Sequence, residues 1–169
     1  MGRLRNKKGM SIVELLSAIA VMLLVTVVLV TGVRLGVKAY TKSVSMSEAQ
    51  ILCTTLTTAV SDELRYAGTV HIDESGRVGF FSQNVGGDSQ TGSSFTSDKN
   101  GYVLLGEIPI LSKSSYPYGL KAEVTVTMDE ADKIFNAKVT VKSKNNTELS
   151  ANEFQVKPIR RSSLEINHQ

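Results

Sequence analysis

Residues 10–33 read MSIVELLSAIAVMLLVTVVLVTGV, a stretch of 24 residues whose only charged side chain is Glu14. From Leu15 to Val33 no charge interrupts it for 19 residues. As a helix rising about 1.5 Å per residue, that run spans roughly 28 Å, close to the roughly 30 Å hydrocarbon core of a bilayer. The apolar core of a secretory signal peptide is shorter, about 7–15 residues, and ends in a small-residue cleavage site. None follows here; the chain continues through Arg34 and Lys38. A core helix of a soluble domain seldom tolerates so long a charge-free run, which leaves a membrane segment. A plain single-pass anchor accounts for all of it except Glu14.

The flank on the N-terminal side, MGRLRNKKG, carries Arg3, Arg5, Lys7 and Lys8 and no acid. A basic flank of this kind keeps its end of a membrane helix in the cytoplasm. An acid at the centre of a spanning helix costs on the order of 2.5–3.5 kcal/mol, less near the interface, so Glu14 needs a partner. A cut between Gly9 and Met10 would supply one, the new α-amino group of Met10. Within one helix the two groups lie one turn apart. Between two helices displaced along their axes, the carboxylate of one would meet the ammonium of the next, and a buried pair of this sort sets register as well as attraction.

Lys7, Lys8, Gly9, Met10 and Glu14, followed by the apolar run, closely resemble the leader and mature start of type IV prepilins. In that family a basic leader ends in glycine, an apolar residue follows, and glutamate stands fifth after the cut. The resemblance covers roughly the first 35 residues and is specific because all of these features occur in register. It implies cleavage after Gly9 and N-methylation of Met10 by a prepilin peptidase, with Glu14 acting in assembly. Met10 replaces the commoner phenylalanine but keeps an apolar first residue. The proline that many members carry in this half of the helix is missing, so Gly32 and Gly36 become the candidates for a soft point where the helix bends.

Beyond Val33 the apolar pattern turns amphipathic. Val44, Ile51, Leu52, Leu56, Ala59, Val60, Leu64 and Ala67 recur at helical three- and four-residue steps, with Lys42, Ser45, Glu48, Thr55, Asp62 and Glu63 between them. Cys53 lies beside the stripe and is expected to pack as a small hydrophobe. Arg65 suits a helix end and Gly68 a stop. One helix over about residues 10–67 is therefore expected, its first half apolar all round and its second half packed on a head.

From residue 69 strand signals take over. Thr69–Asp73 and Arg77–Ser82 flank Glu74-Ser75-Gly76 as a hairpin. Residues 83–101, QNVGGDSQTGSSFTSDKNG, read as a long exposed loop. Tyr102–Leu105 is a short strand, and Ala122–Met128 and Ala137–Lys142 alternate apolar with polar as half-buried strands do. Phe154 and Val156 close the sheet after the Asn145-Asn146 turn. The expected fold is α+β: a long N-terminal helix, transmembrane in one half and amphipathic in the other, packed on an antiparallel β-sheet head. Its divisions are a leader at 1–9, a transmembrane or filament-core helix at 10–35, the amphipathic half at 36–68 and a β-rich head at 69–169.

Little else in the 169 residues suggests chemistry. With Cys53 the lone cysteine, no intramolecular disulfide and no cysteine-based metal site can form. Gly87 and Gly92 have the spacing of a phosphate loop, but Ser93 stands where lysine is required. Asp129, Glu130 and Asp132 suit a turn better than a calcium site. His71 and His168 have no ligand-spaced companion. Asn145-Asn146-Thr147 matches a glycosylation acceptor, a pattern of low specificity. Lys157, Arg160 and Arg161 form a small basic tail. No nucleophile, base and orienter assemble, so no enzyme, no cofactor and no metal are expected.

The formal charge is +3, from 19 Lys+Arg against 16 Asp+Glu. Residues 1–9 hold four of those bases, so without them 15 stand against 16 and the charge becomes −1. The basic balance belongs to the flank, and a nucleic-acid partner is not expected.

The resemblance implies a structural subunit of a type IV pilus, with homologous pilin subunits in a helical filament, prepilin peptidase, the inner assembly platform and the membrane as partners. The precursor would sit in the cytoplasmic membrane with its head outside, and the mature form in the extracellular filament. A head of moderate size without a disulfide loop points to a minor pilin of the kind found in Gram-positive bacteria. The alternative is a pseudopilin of a type II secretion or competence machine, which shares the N-terminal motif. A single-pass binding protein that never polymerises is a third possibility, and it predicts no consequence of replacing Glu14.

Overall fold

A computed structural model describes residues 11–73, 76–82 and 92–159 and the backbone of 166–168. Its packing divides the chain into two units, Met1–Ser43 and Val44–Gln169. Helix α1, Ile12–Arg65, belongs to both, and nine strands follow: β1 (Val70–Ile72), β2 (Val78–Phe80), β3 (Phe95–Ser97), β4 (Val103–Leu105), β5 (Ile108–Pro109), β6 (Lys121–Asp129), β7 (Ile134–Lys142), β8 (Glu148–Val156) and β9 (Ile166–His168). The arrangement is α+β: one long N-terminal helix and β-sheets that are mostly antiparallel, with the helix residues after Ser43 packed on them.

Within the second unit, α1 buries Ala49, Leu52, Cys53, Leu56, Val60, Leu64 and, just past its end, Ala67. At about 100° per residue these positions fall within an arc of about 120°, the width of a single packed face. Ile51, expected in that stripe, lies about 200° around from Ala49 and is 60% exposed. Ala59 flanks the arc and is half-buried, and Val44, also half-buried, lies well outside it on the side of Ile51. The Cys53 thiol faces the sheet, its Sγ 3.8 Å from the carbonyl oxygen of Val139 on β7. Ser82, buried after β2, donates its hydroxyl to Glu63 Oε2 at 2.7 Å and ties the last turns of the helix to the sheet.

The sheets number three among the described residues, ordered β2-β1-β9, β3-β4-β5 and β6-β7-β8. The third is the largest, a meander of nine-residue strands in which Val124 faces Val139 and Ala137 faces Phe154. β7, its central strand, turns Phe135, Ala137, Val139 and Val141 into the core, as their alternation with polar residues requires. Phe80 joins the sheets, its ring centroid 5.4 Å from that of Phe95 and 6.4 Å from that of Phe135. Asn146 closes the β7–β8 turn with φ 60, a left-handed conformation that asparagine adopts more readily than most residues.

Two expectations for the head need correction. The segment 83–101 is not loop throughout: β3 lies in it, and Ser93 pairs with Phe80 in an isolated bridge. The sheet is not purely antiparallel, because β1 pairs with β9 in parallel, placing Val70 against Ile166. Phe154 and Val156 lie on β8, which completes the β6-β7-β8 sheet after the Asn145-Asn146 turn. The hairpin of β1 and β2 has the expected antiparallel pairing, with Ile72 opposite Val78; its turn residues 74–75 lie outside the described residues.

Candidate functional site

The feature that sets this chain apart from an ordinary α+β domain is the first half of α1. From Ile12 to Val37 every Val, Ile, Leu and Met is at least 47% exposed. A soluble monomer does not carry a continuous apolar surface of this size; such patches mark contact with membrane or protein. The helix is long and apolar enough to cross a membrane.

Its polar side chains are arranged to suit an apolar setting. Thr26 donates its hydroxyl to the carbonyl of Met22 at 2.8 Å, Thr31 to that of Val27, and Thr41 to that of Val37 at 3.0 Å. Each hydroxyl is thereby satisfied within its own helix, which removes the cost of carrying it into hydrocarbon. α1 runs as unbroken α-helix through Gly32 and Gly36. Nothing lies within 4 Å of the space a Cβ would take at either, so neither glycine serves a close contact among the described residues.

Glu14 is exposed and stands in the first turn of α1. The backbone N–H groups of Glu14 and Leu15 both donate to the Ser11 carbonyl at 3.0 Å, making Ser11 the residue on which the helix starts. Glu14 is then the third helical residue, where the positive end of the helix dipole favours a carboxylate. Ser11-x-x-Glu14 also has the spacing of a capping box, a local role for Glu14 that the expected assembly role leaves out of account. Ser17 donates to the Glu14 carbonyl at 2.9 Å. Lys7, Lys8, Gly9 and Met10 lie outside the described residues, so the cleavage and methylation expectations have no structural counterpart here.

The other sequence candidates are dispersed. Asp129 Oδ1 accepts from the backbone N–H of Ala131 at 3.0 Å and forms the turn from β6 to β7. Among the described residues no group of three His, Cys, Asp or Glu side chains is placed to hold a metal ion. Ser93, at the end of the phosphate-loop spacing, is buried and its backbone is bonded in both directions to Phe80; Gly87 lies outside the described residues. His71 is on β1 and Asn145 in the β7–β8 turn. Lys157 is exposed after β8, and Arg160 and Arg161 are outside the described residues.

Comparison of the chain with family models, with curated proteins and with solved structures finds no match in any of the three.

Proposed function

We propose that this chain is a structural subunit of a type IV pilus, cut after Gly9, N-methylated at Met10 and polymerised through α1, most simply as a minor pilin. The observation that supports it most is the union of two features in one helix: an exposed apolar half from Ile12 to Val37 and a single carboxylate, Glu14, in its first turn. Among the described residues the apolar half has no partner. It needs lipid before assembly and the same half of neighbouring subunits afterwards. Glu14 would then find the α-amino group of Met10 on a displaced neighbour, which selects one stagger among the many that apolar packing allows. The head, Val44 onward, would supply the contacts between subunits at the filament surface. A pseudopilin of a secretion or DNA-uptake machine would use the same helix in the same way.

Intact mass and N-terminal sequencing of the mature protein test the first step. A chain beginning at N-methylated Met10 is expected, and one retaining residues 1–9 would overturn the proposal. Recovery in sheared surface filaments separates a pilin from a pseudopilin.

A further inference from the structure

Strands β2, β3 and β6 surround a cleft of about 770 Å³ in the second unit. Its walls are backbone as much as side chain. On β6, Ala122 turns its N–H away from β7 and donates to the Gly101 carbonyl at 2.8 Å. By the alternation of an antiparallel ladder, Val124 and Val126 turn their N–H and C=O groups the same way, and neither has a backbone partner among the described residues on that side. On β3, Ser94 and Asp98 bond towards β4, so Phe95 and Ser97 face the opposite side. On β2, Phe81 bonds back to Thr69 and Phe80 bonds Ser93, which leaves Val78 facing the cleft. β3 lies beside β6, and the Ser97 hydroxyl donates to the Ala122 carbonyl at 3.0 Å. The two strands form no ladder with each other.

Proteins ordinarily protect such an edge with a proline, a bulge or a very short strand. β6 has none of these: it is nine residues long, contains no proline, and pairs with β7 without a register shift. Charge at the cleft leans positive. Lys142 is paired with Glu123 at 2.6 Å. The Asp98 carboxylate accepts from the backbone N–H groups of Asn100 and Tyr102, each at 2.8 Å, and keeps its negative charge. Against it stand Arg77, Lys99 and Lys121, a surplus of two positive charges, with Lys121 Nζ donating to the neutral Asn146 side chain at 3.3 Å.

We propose that this cleft binds an extended acidic peptide segment of a partner protein, which adds to β6 as a further strand. Backbone hydrogen bonds from Val124 and Val126 supply affinity that is indifferent to sequence, and Arg77, Lys99 and Lys121 select for acidic side chains. The cleft lies wholly in the second unit, so its role is independent of the one proposed for α1.

The test uses the full chain in detergent and a blocked peptide of about eight residues alternating glutamate with valine and threonine. Its counterpart with lysine in place of glutamate, and a version N-methylated at alternate residues, serve as controls. The acidic peptide is expected to bind at least about tenfold more tightly than either control, a difference of about 1.4 kcal/mol, and to weaken as salt rises. Val126→Pro removes an outward N–H without touching the β7 ladder and should abolish binding. Lys99→Glu with Lys121→Glu should weaken it about tenfold while leaving circular dichroism and thermal melting unchanged, which guards against a variant that merely misfolds. Equal affinity for acidic and basic peptides, or for the parent and N-methylated forms, overturns the proposal. So does concentration-dependent self-association that Val126→Pro abolishes and the acidic peptide does not compete, since the occupant would then be a second copy of this chain.

Discussion

Leu56→Ala and Ile51→Ala offer the sharpest test of how α1 meets the sheets. Both residues belong to the apolar spacing of the amphipathic half, yet Leu56 is 0% exposed and Ile51 is 60% exposed. Truncating Leu56 removes three carbons from a site closed by the core, where relaxation is partial. Substitutions of this type cost about 2–5 kcal/mol, made up of lost transfer energy and residual cavity. Truncating Ile51 removes atoms already largely in water, and surface changes away from special features stay within about 0.5 kcal/mol. The expected gap is therefore at least about 1.5 kcal/mol, large enough to resolve by urea unfolding of the full chain in detergent, followed by a probe of the head. The slope of the transition should be the same for both variants, since neither alters the surface exposed on unfolding by much. Equal destabilisation would mean that α1 is rotated about its axis relative to the sheets, and the buried arc described above would be wrong.

Three further outcomes follow from particular contacts. Cys53 is 3% exposed, so a thiol reagent should label it slowly in the folded chain and fast in denaturant; rapid native labelling would contradict its packing against Val139. Gly101 has φ +83, and a Cβ there would press on Lys121, with Lys121 Cα at 2.9 Å; Gly101→Ala should destabilise the head by at least about 1–2 kcal/mol, read from its thermal midpoint, and no loss would refute the tight approach. The backbone N–H of Tyr102, ahead of the opposing effect of burial and helped by that of Asn100, holds the Asp98 carboxyl below its ordinary value of 3.8. A lowered carboxyl pKa adds stability that is complete above the unfolded value and lost as pH falls through the folded one; Asp98→Asn should therefore flatten the acid limb of unfolding below about pH 4, and an unchanged limb would assign that limb to other groups.

The elements legible from sequence were the long ones that show a period and the three-residue strands β1, β2 and β4, whose apolar residues stand beside turn residues. β6 and β7 each run nine residues, and their alternation of valines and alanines with threonines and lysines marks both faces. β3, β5 and β9 have three residues or fewer, too short for any period to emerge. β9 pairs in parallel with a strand nearly the whole head away in sequence, and no local signal encodes such a partner. Edge strand β8 hides for a different reason: it is exposed over most of its length, so burial imposes no alternation on it. Ile51 was misplaced because apolar spacing alone cannot choose between two faces of a helix, whereas the small residues Ala49 and Cys53 mark the face that approaches the sheet. The candidate residues of the N-terminal motif were legible because their chemistry lies in order along the chain. The cleft beside β6 was not, because its determinants are unpaired backbone groups that three distant strands bring together.

The exposed half of α1 also constrains what can drive the proposed assembly. Hydrocarbon is as apolar as valine and leucine, so moving this helix from lipid into a bundle of like helices gains almost no hydrophobic free energy. Cohesion must then come from close packing and from polar pairs that lipid cannot satisfy. Small side chains permit close approach, and α1 offers them at Ser17, Ala18, Ala20, Gly32 and Gly36, the two glycines having open space around them. The one strong polar term is Glu14, the single charge from Met10 to Val33. Glu14→Gln keeps the size and a hydrogen-bonding group but removes the charge, whereas Glu14→Ala removes both. If register depends on an ion pair with the Met10 α-amino group, both variants should insert in the membrane, be processed, and fail to enter filaments. Should Glu14→Gln assemble as well as the parent while Glu14→Ala does not, the capping-box role at Ser11 would account for the residue, and the stagger of subunits would have to be set by the small-residue face and the heads.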